Sequence, residues 1–209
     1  MKKTVVLLSA ILLVGSTGIS YAQKDRTLSH GFSINLVVGI PAANYGYTKT
    51  SNIDDDLRFH YTLGLQIGNR WYFGSSEVFK MGLMVNWFDI TTGSLKNEGL
   101  TKVVLDASLF ELGPVGSFGL SDAIGLDVYY NLRPTLFTHL WWFPAEDPEG
   151  LLGAGLSHAV GTAFRWRALN AGLEYVIGSI NCEYTESGLD VPDQKLRLNS
   201  LRVMIGAKF

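Results

Sequence analysis

The chain has 209 residues, a formal net charge of −2 and a single cysteine, Cys182. This length suits one domain, the charge gives no basic footprint for nucleic acid, and one thiol excludes an internal disulfide or a cysteine metal cluster. Charged residues make up 17% of the sequence, against about 25% in a typical soluble domain. The composition therefore argues against a nucleic-acid-binding protein and against an ordinary soluble domain.

The first 22 residues have the pattern of a secretory signal peptide. Lys2-Lys3 forms a basic start, an apolar run follows over 5–14, and the small residues around 20–22 predict cleavage after position 22. The apolar run is shorter than the about 20 residues that a membrane-spanning helix needs, which disfavours a helical anchor. We therefore expect residues 1–22 to be a signal peptide and residues 23–209 to form one exported domain.

Apolar and polar residues alternate through the rest of the chain with the period of two that is typical of β-strands. No apolar run after the signal peptide is long enough for a transmembrane helix, which favours β-structure. The alternation predicts eight strands, near residues 30–40, 58–73, 79–90, 102–119, 123–138, 153–166, 169–183 and 196–209. The predicted fold is all-β, an eight-stranded antiparallel up-and-down transmembrane β-barrel.

The fourth predicted strand contains a change of phase. Its apolar residues alternate from Val103 to Leu109 and then shift toward Leu112. Gly113-Pro114 lies in this shift, and glycine or proline inside a strand often marks a β-bulge. We expect a bulge at Gly113-Pro114, with Glu111 turned to the polar face.

The predicted connections differ in length from one end of the barrel to the other. Three are short turns, at 74–77, 120–122 and 167–168, and four are longer, at 41–57, 91–101, 139–152 and 184–195. Short turns at one end and long loops at the other are typical of outer-membrane barrels, in which the short turns face the periplasm. An even number of strands then places both termini in the periplasm.

The last ten residues, 200–209, alternate regularly. Their apolar side holds Leu201, Val203, Ile205, Ala207 and Phe209, and their other side holds Ser200, Arg202, Met204, Gly206 and Lys208. A closed barrel must seal its last strand against its first, because an open sheet edge leaves backbone groups without partners in lipid. We expect this strand to close the barrel.

The polar face indicates which side of the wall meets lipid. It is rich in Gly, Ser, Asn and Tyr with scattered charges, and small residues suit the narrow interior of an eight-stranded barrel. A face in contact with water would carry Lys, Glu and Thr throughout. We therefore predict an apolar exterior, the reverse of a soluble lipocalin-like barrel.

Aromatic residues predict a belt at each end of the strands. The expected periplasmic belt contains Phe32, Trp71, Phe73, Phe79, Phe118, Phe164, Trp166 and Phe209. The expected outer belt contains Phe59, Tyr61, Trp87, Phe137, Trp141, Trp142 and Tyr184.

Three segments carry a resemblance to a known group: Glu-Leu-Gly-Pro-Val-Gly-Ser-Phe at 111–118, Asp-Val-Tyr-Tyr-Asn-Leu-Arg at 127–133, and the terminal strand. The chain resembles the small OmpA/OmpX-type outer-membrane barrels and the outer-membrane β-barrel proteins of Bacteroides-type bacteria. The resemblance implies a Gram-negative outer membrane, contact with lipid and lipopolysaccharide, and a terminal strand ending in Phe209 that is presented to the barrel-assembly machinery. It leaves the role open, because this fold hosts adhesins, lipid enzymes and proteins of unknown function.

Ten charged residues are predicted to face the lumen. They are Arg70, Lys80, Asp106, Glu111, Asp127, Arg133, Arg165, Glu174, Arg202 and Lys208. Buried charges are costly unless they are paired, so we expect a polar network with Arg133 near Asp106 or Glu111 and Arg202 near Glu174. Such a network would plug the lumen. The alternative, a small channel, needs a continuous bore lined by small residues.

The outer loops are predicted to bind an unidentified extracellular ligand. The candidate contacts are Tyr45, Tyr47, Asp54, Asp55, Asp56, Trp141 and Trp142. Aromatic residues beside acids suit carbohydrate, cation or protein contacts, and loops on a rigid scaffold often carry function. The three adjacent aspartates lack the spacing of a calcium loop, so no metal or cofactor is predicted. We expect a monomer.

An outer-leaflet lipid-modifying enzyme is the other alternative. It would need His139 or His158, both expected near the outer rim, to face a serine or an acid. Ser157 precedes His158, but neighbours on a strand point to opposite sides of the wall. We therefore predict a protein without catalytic residues.

Overall fold

The structure is a computed structural model and describes residues 28–42, 44–46, 59–97, 99–143, 149–184 and 194–209. The predicted signal peptide lies outside these residues. The described residues form nine strands: β1 (Gly31–Pro41), β2 (Thr62–Phe73), β3 (Phe79–Asn97), β4 (Leu100–Gly119), β5 (Ile124–Trp142), β6 (Glu149–Trp166), β7 (Leu169–Tyr184), β8 (Gln194–Arg197) and β9 (Ser200–Lys208). No helix in this part of the chain is long and apolar enough to cross a membrane.

The strands close into one antiparallel ring. Strands β1 to β7 pair in chain order, and β9 pairs with both β7 and β1. β8 and β9 follow each other along β7, so together they fill the eighth position. The predicted eight-stranded antiparallel barrel is therefore confirmed.

The eighth position is interrupted at Leu198-Asn199, where the prediction had one continuous strand. The side chain of Leu198 is fully buried, and its amide donates to the Gly178 carbonyl oxygen over 3.0 Å. The Asn199 side chain accepts a hydrogen bond from the Gly178 amide over 3.2 Å. A side-chain acceptor thus replaces one backbone contact, and the ring stays closed across the interruption.

The apolar side of the wall faces outward. In β1, Ile34 and Leu36 are 37% and 42% exposed, whereas Ser33 and Asn35 are each 1% exposed. In β9, Ile205 is exposed and Arg202 is buried. Apolar side chains outside and polar ones inside are the reverse of a soluble barrel and the arrangement expected of a barrel wall in lipid.

The bulge in β4 lies at Phe110, so the prediction that placed it at Gly113-Pro114 was wrong. Phe110 has φ 57°, and both Leu109 and Phe110 are exposed. The left-handed backbone at Phe110 places two consecutive side chains on the outer surface, after which the alternation resumes with opposite phase. This shift turns Glu111 toward the lumen.

A matching irregularity lies opposite, at Trp87 in β3. Asn86 pairs with Glu111 and Phe88 pairs with Leu109, so Trp87 and Phe110 are both left out of the ladder. Their rings meet edge to face on the outer surface, with centroids 5.3 Å apart. Because each strand has one extra residue at the same level, the inward and outward alternation shifts in β3 and β4 together. The lumen face of β3 therefore stays beside the lumen face of β4 both before and after the bulges.

Strands β3 to β6 are longer than predicted, with 19, 20, 19 and 18 residues. The expected loop 91–101 is mostly strand, as are parts of the expected loop 139–152. About 9–11 residues suffice to cross a bilayer. The outer face of β3 also becomes polar beyond Ile90, at Thr92, Ser94 and Lys96. These four strands therefore extend past the apolar band at one end.

We call that end the loop end. The opposite end, where short turns join β2 to β3, β4 to β5 and β6 to β7, is the turn end. The start of β1 and the end of β9 also lie at the turn end, where Phe32 and Phe209 exchange two backbone hydrogen bonds of 2.7 and 3.0 Å.

The seam between β9 and β1 depends on Gly206. A side chain there would collide with the Ile34 carbonyl oxygen and with Asn35. We expect Gly206→Ala to lower the free energy of unfolding by about 1–3 kcal/mol, because the two strands must move apart to admit a methyl group.

Gly116→Ala is the matched control, since the nearest atom to its added methyl would be in the Phe79 ring, at 3.4 Å, which is ordinary van der Waals contact. Urea unfolding of both variants in lipid vesicles measures the difference. Equal stability of the two variants would contradict the close approach at the seam.

Candidate functional site

The centre of the lumen holds a buried layer of ion pairs. We call it the central layer, and it consists of Arg133, Arg202, Asp89, Asp106, Glu111 and Glu174. Arg202 donates to Asp89 with both terminal nitrogens, one of them over 2.7 Å, and lies 2.9 Å from Glu174. Fork-shaped pairing of this kind is the strong form of an arginine–carboxylate contact.

Arg133 forms the other half of the central layer. Its Nε donates to Glu111 over 2.5 Å, and its Nη2 lies 3.4 Å from Asp89 and 3.6 Å from Asp106. Because Asp89 contacts both arginines, it joins the two halves into one network. Two guanidinium groups thus face four carboxyl groups within this layer.

Neutral side chains from the neighbouring strands complete the central layer. The Asn86 amide donates to Glu111 over 2.6 Å, Gln66 donates to Asp89 over 3.3 Å, and the Tyr129 hydroxyl donates to Glu174 over 3.0 Å. These bonds occupy carboxylate lone pairs that the arginines leave open. The layer is therefore cross-linked through strands on all sides of the barrel.

Asp89 is the member of the central layer that the sequence prediction missed. Strict alternation from Lys80 and Asn86 puts position 89 on the outer face, and the bulge at Trp87 reverses this. Its neighbours Phe88 and Ile90 are exposed on the wall. A carboxylate between two such apolar residues is costly in lipid, and that cost was the available signal that Asp89 points inward.

The turn half of the lumen holds the remaining predicted charges. We call this group the inner layer, and it consists of Arg70, Lys80, Arg165, Lys208 and Asp127. Arg165 donates to Asp127 over 2.8 Å, and the Arg70 Nε lies 3.7 Å from the other oxygen of Asp127. The Arg165 guanidinium and the Lys208 ammonium lie 5.7 and 5.6 Å from the centre of the Tyr72 ring.

The segment Leu28-Ser29 covers the turn end of the lumen. Lys80 donates to the Leu28 carbonyl oxygen over 3.2 Å, and Lys208 donates to the Ser29 carbonyl oxygen over 2.5 Å. Leu28 is buried. Two lysines of the inner layer therefore hold the chain across this opening.

Apolar side chains fill the loop half of the lumen, which the sequence prediction had described as polar. The cluster contains Tyr45, Phe59, Val104, Phe137, Leu151, Ile180, Cys182, Leu196 and Leu198. Phe59 and Phe137 were expected in the outer aromatic belt, and their inward position corrects that prediction.

Tyr45 also corrects a prediction, since it was expected to contact an external ligand. It is buried at the inner edge of the apolar cluster, where its ring meets Phe137 edge to face and its hydroxyl donates to Asp106 over 3.5 Å. Tyr45 therefore joins the apolar cluster to the central layer. The other candidates in this loop, Tyr47 and Asp54 to Asp56, lie outside the described residues.

The candidate tryptophans lie at the loop end. Trp141 donates from its indole nitrogen to Glu149 over 3.0 Å, and Trp142 follows it at the end of β5. His139 is buried inside the barrel, packed edge-on against Phe59 and Trp141. Trp141 and Trp142, both partly exposed, are the candidate contacts that remain near the surface.

His158 lies halfway along the outer face of β6, so its expected position near the rim was wrong. Its Nδ1 is 2.6 Å from the Tyr130 hydroxyl, and the two rings stack. Ser157 points into the lumen and lies 2.8 Å from the Thr135 hydroxyl. Ser157 and His158 are thus on opposite sides of the wall and cannot form a nucleophile–base pair.

The described part of the chain contains no group of three or more His, Cys, Asp or Glu residues placed to hold a metal ion.

Comparison with known proteins bears on the fold alone. No protein-family model and no curated protein sequence matches the chain. Two crystal structures of Ail, the attachment invasion locus protein of Yersinia pestis, are similar at 12% identity and a TM-score of 0.50, over 86% of this chain and 97% of Ail. One of them is a complex with the heparin analogue sucrose octasulfate. The crystal structure of OprG from Pseudomonas aeruginosa is similar at 13% identity and a TM-score of 0.41, and the match covers 87% of this chain and 96% of OprG. The chain has the fold of the small outer-membrane β-barrels, as the resemblance in its sequence predicted.

Proposed function

We propose that the protein is a monomeric barrel of the Gram-negative outer membrane, with lipid and lipopolysaccharide against its apolar wall. The exposed apolar side chains and the fold shared with Ail support this location. The turn end and both ends of the barrel domain would face the periplasm. Phe209 is exposed at the base of the closing strand, a position that suits recognition by the barrel-assembly machinery.

We further propose that the lumen is plugged and that the barrel has no solute path. One observation carries this proposal: buried side chains occupy every level of the lumen. From the loop end these are the apolar cluster, the central layer, and a second apolar cluster of Val37, Tyr72, Met84, Val115, Tyr129, Ala163 and Met204, followed by the inner layer. Side chains just fill a barrel of eight strands, which leaves no aqueous bore.

Planar-bilayer recording tests the plug. We expect the folded protein to give no steady conductance, because a path would require the central ion pairs to separate. Protein-free membranes serve as the control, and a heat-dependent shift on gels verifies that the inserted protein is folded. A large and steady conductance from folded protein would favour the small channel instead.

The loop end is the proposed binding surface. Strands β3 to β6 raise it beyond the apolar band, and β5 brings Trp141 and Trp142 there, followed by the exposed Phe143. Tyr47 and the three aspartates at 54–56 remain candidate contacts. Aromatic faces beside acidic groups suit carbohydrate, and the sugar analogue bound by Ail makes carbohydrate the first class to test. We propose no enzymatic activity, because His158 pairs with Tyr130 on the outer face while Ser157 pairs with Thr135 in the lumen.

Glycan arrays carrying sulfated and neutral sugars test this surface with the barrel in nanodiscs. We expect the double variant Trp142→Ala/Phe143→Ala to weaken binding at least about tenfold, since it removes the partly exposed ring of Trp142 and the exposed ring of Phe143. Trp166→Ala is the matched control, because Trp166 is an exposed tryptophan at the turn end. Equal losses in the two variants would contradict a binding surface at the loop end, and an array without any binding would contradict the carbohydrate class.

A further inference from the structure

The central layer contains more carboxyl groups than cations. Two arginines face four carboxyl groups, and all six side chains are buried. A buried charge is costly unless it is paired and hydrogen-bonded, so four ionised carboxylates around two guanidinium groups would be unfavourable. The lengths of the individual contacts show which carboxyl group the arginines leave over.

Three of the four carboxyl groups have a close contact with an arginine. Arg202 donates to Asp89 over 2.7 Å and lies 2.9 Å from Glu174, and Arg133 donates to Glu111 over 2.5 Å. A nearby cation and a donated hydrogen bond both favour the charged form of a carboxyl group. These three groups are therefore stabilised as carboxylates, and they occupy the near positions around both guanidinium groups.

Asp106 is the fourth carboxyl group, and its contacts are the weakest of the layer. Among the residues that the structure describes, its one ion-pair partner is Arg133, whose Nη2 lies 3.6 Å from Oδ1. Oδ1 accepts no hydrogen bond there, and Oδ2 has the Tyr45 hydroxyl at 3.5 Å, beyond the usual range of a hydrogen bond between oxygens. An ionised Asp106 would thus be a buried anion with almost no donors.

The surroundings of Asp106 also disfavour a charge. Asp106 pairs across the wall with Phe137 on β5, and the rings of Phe137 and Tyr45 meet edge to face. Asp89 lies 3.4 Å from the same Arg133 nitrogen that Asp106 approaches, so a second carboxylate competes for this cation. Burial beside apolar groups and a nearby like charge both favour the neutral form of a carboxyl group.

The charged and titratable groups around Asp106 come from five strands and from the segment before β2. They are Asp89 on β3, Lys102 and Glu111 on its own strand β4, Arg133 and His139 on β5, Glu174 on β7, Arg202 on β9, and Tyr45. Lys102 lies four residues toward the loop end, roughly 13 Å along the strand, and forms no ion pair with Asp106. The two arginines are thus the nearest cations, and both have closer carboxylates.

We propose that Asp106 is the proton-binding group of the lumen and is a neutral carboxylic acid at pH 7. A bound proton needs no cavity, and it removes one of the two excess negative charges of the central layer. The unfolded chain releases this proton to solvent above about pH 4, the ordinary range of an aspartate. Because the native state then holds one proton more than the unfolded state, the stability falls as the pH rises until Asp106 ionises in the native state.

¹³C NMR of the aspartate carboxyl carbons tests this assignment on the full mature chain, folded in an uncharged detergent and titrated from about pH 5 to about pH 10. We expect the Asp106 signal to have the position of a carboxylic acid at pH 7 and to shift only at higher pH. Asp122, exposed in the turn before β5, is the internal control and should have the position of a carboxylate throughout.

Asp106→Asn supplies a second measurement, because the amide keeps the shape of the neutral acid. We expect this variant to have the urea midpoint of the wild-type chain at pH 7 and a higher midpoint than the wild-type chain at about pH 10, where Asp106 is ionised. Asp122→Asn should follow the wild-type chain at both values.

Two results would overturn the proposal. One is an Asp106 carbon at the carboxylate position at pH 7, which decides the question even if Asp106→Asn fails to fold. The other is a urea midpoint of Asp106→Asn that changes with pH as much as that of the wild-type chain.

Discussion

Replacing Arg202 by methionine is expected to lower the free energy of unfolding by about 3–5 kcal/mol, the usual cost of removing one partner from a buried ion pair. The change leaves Asp89 and Glu174 buried without their main cation. Arg133 compensates only in part, because it reaches Asp89 over 3.4 Å while its guanidinium also contacts Glu111 and Asp106. Urea unfolding in lipid vesicles measures the loss.

Arg197→Met is the matched control for this prediction, since Arg197 belongs to the same eighth position of the ring but is only partly buried. We expect it to change the stability by less than about 1 kcal/mol. A double-mutant cycle with Asp89→Asn isolates the contact with Arg202. Equal losses for Arg197→Met and Arg202→Met, or a cycle without coupling, would contradict a structural role of the central layer.

Replacing Leu132 by arginine is expected to cost about 2–4 kcal/mol, the price of a cation on the lipid face near the middle of a bilayer. Leu132 is exposed halfway along β5, between the pairing partners Leu112 and His158 on the adjoining strands. The same vesicle-based unfolding measures this loss. An arginine there must reach toward the interface or draw water into the apolar band.

Ser94→Arg is the control for Leu132→Arg. Ser94 lies on the outer face of β3 but beyond the apolar band, next to the exposed Lys96. We expect a change between about 0 and 1 kcal/mol there. A wall in contact with water would tolerate both substitutions within about 0.5 kcal/mol, so equal small effects would contradict the membrane assignment.

Alternation in the sequence was sufficient to predict the ring and its faces, because one residue of shift moves every side chain of a strand to the other side. It failed where the backbone departs from regular strand geometry. The paired bulge at Trp87 and Phe110 involves neither glycine nor proline, so the usual signal was absent. The break at Leu198-Asn199 depends on a side-chain hydrogen bond to a distant strand, which no local pattern indicates.

The lumen was predictable in its charges but not in its apolar half. A charged residue on a barrel strand has a strong reason to face inward, and nine of the ten charged residues predicted for the lumen are buried, while Lys80 is partly buried. An aromatic residue has no such reason, since it suits either the lumen or a belt. Phe137 lies two and four residues after Thr135 and Arg133 along β5, so all three fall on the same face of the strand. This spacing already indicated that Phe137 points inward. Tyr45 and Phe59 lie outside the nine strands, where alternation gives no information.

The position of the polar network in this barrel depends on which side of the wall meets lipid. The most direct test is NMR cross-relaxation from lipid acyl chains to methyl groups of the barrel in nanodiscs. We expect signals at Ile34, Leu132 and Ile205, which are exposed on the wall, and none at Val37 and Met204, which are buried in the lumen. Cross-relaxation to Val37 and Met204, with none to the three exposed residues, would contradict the account.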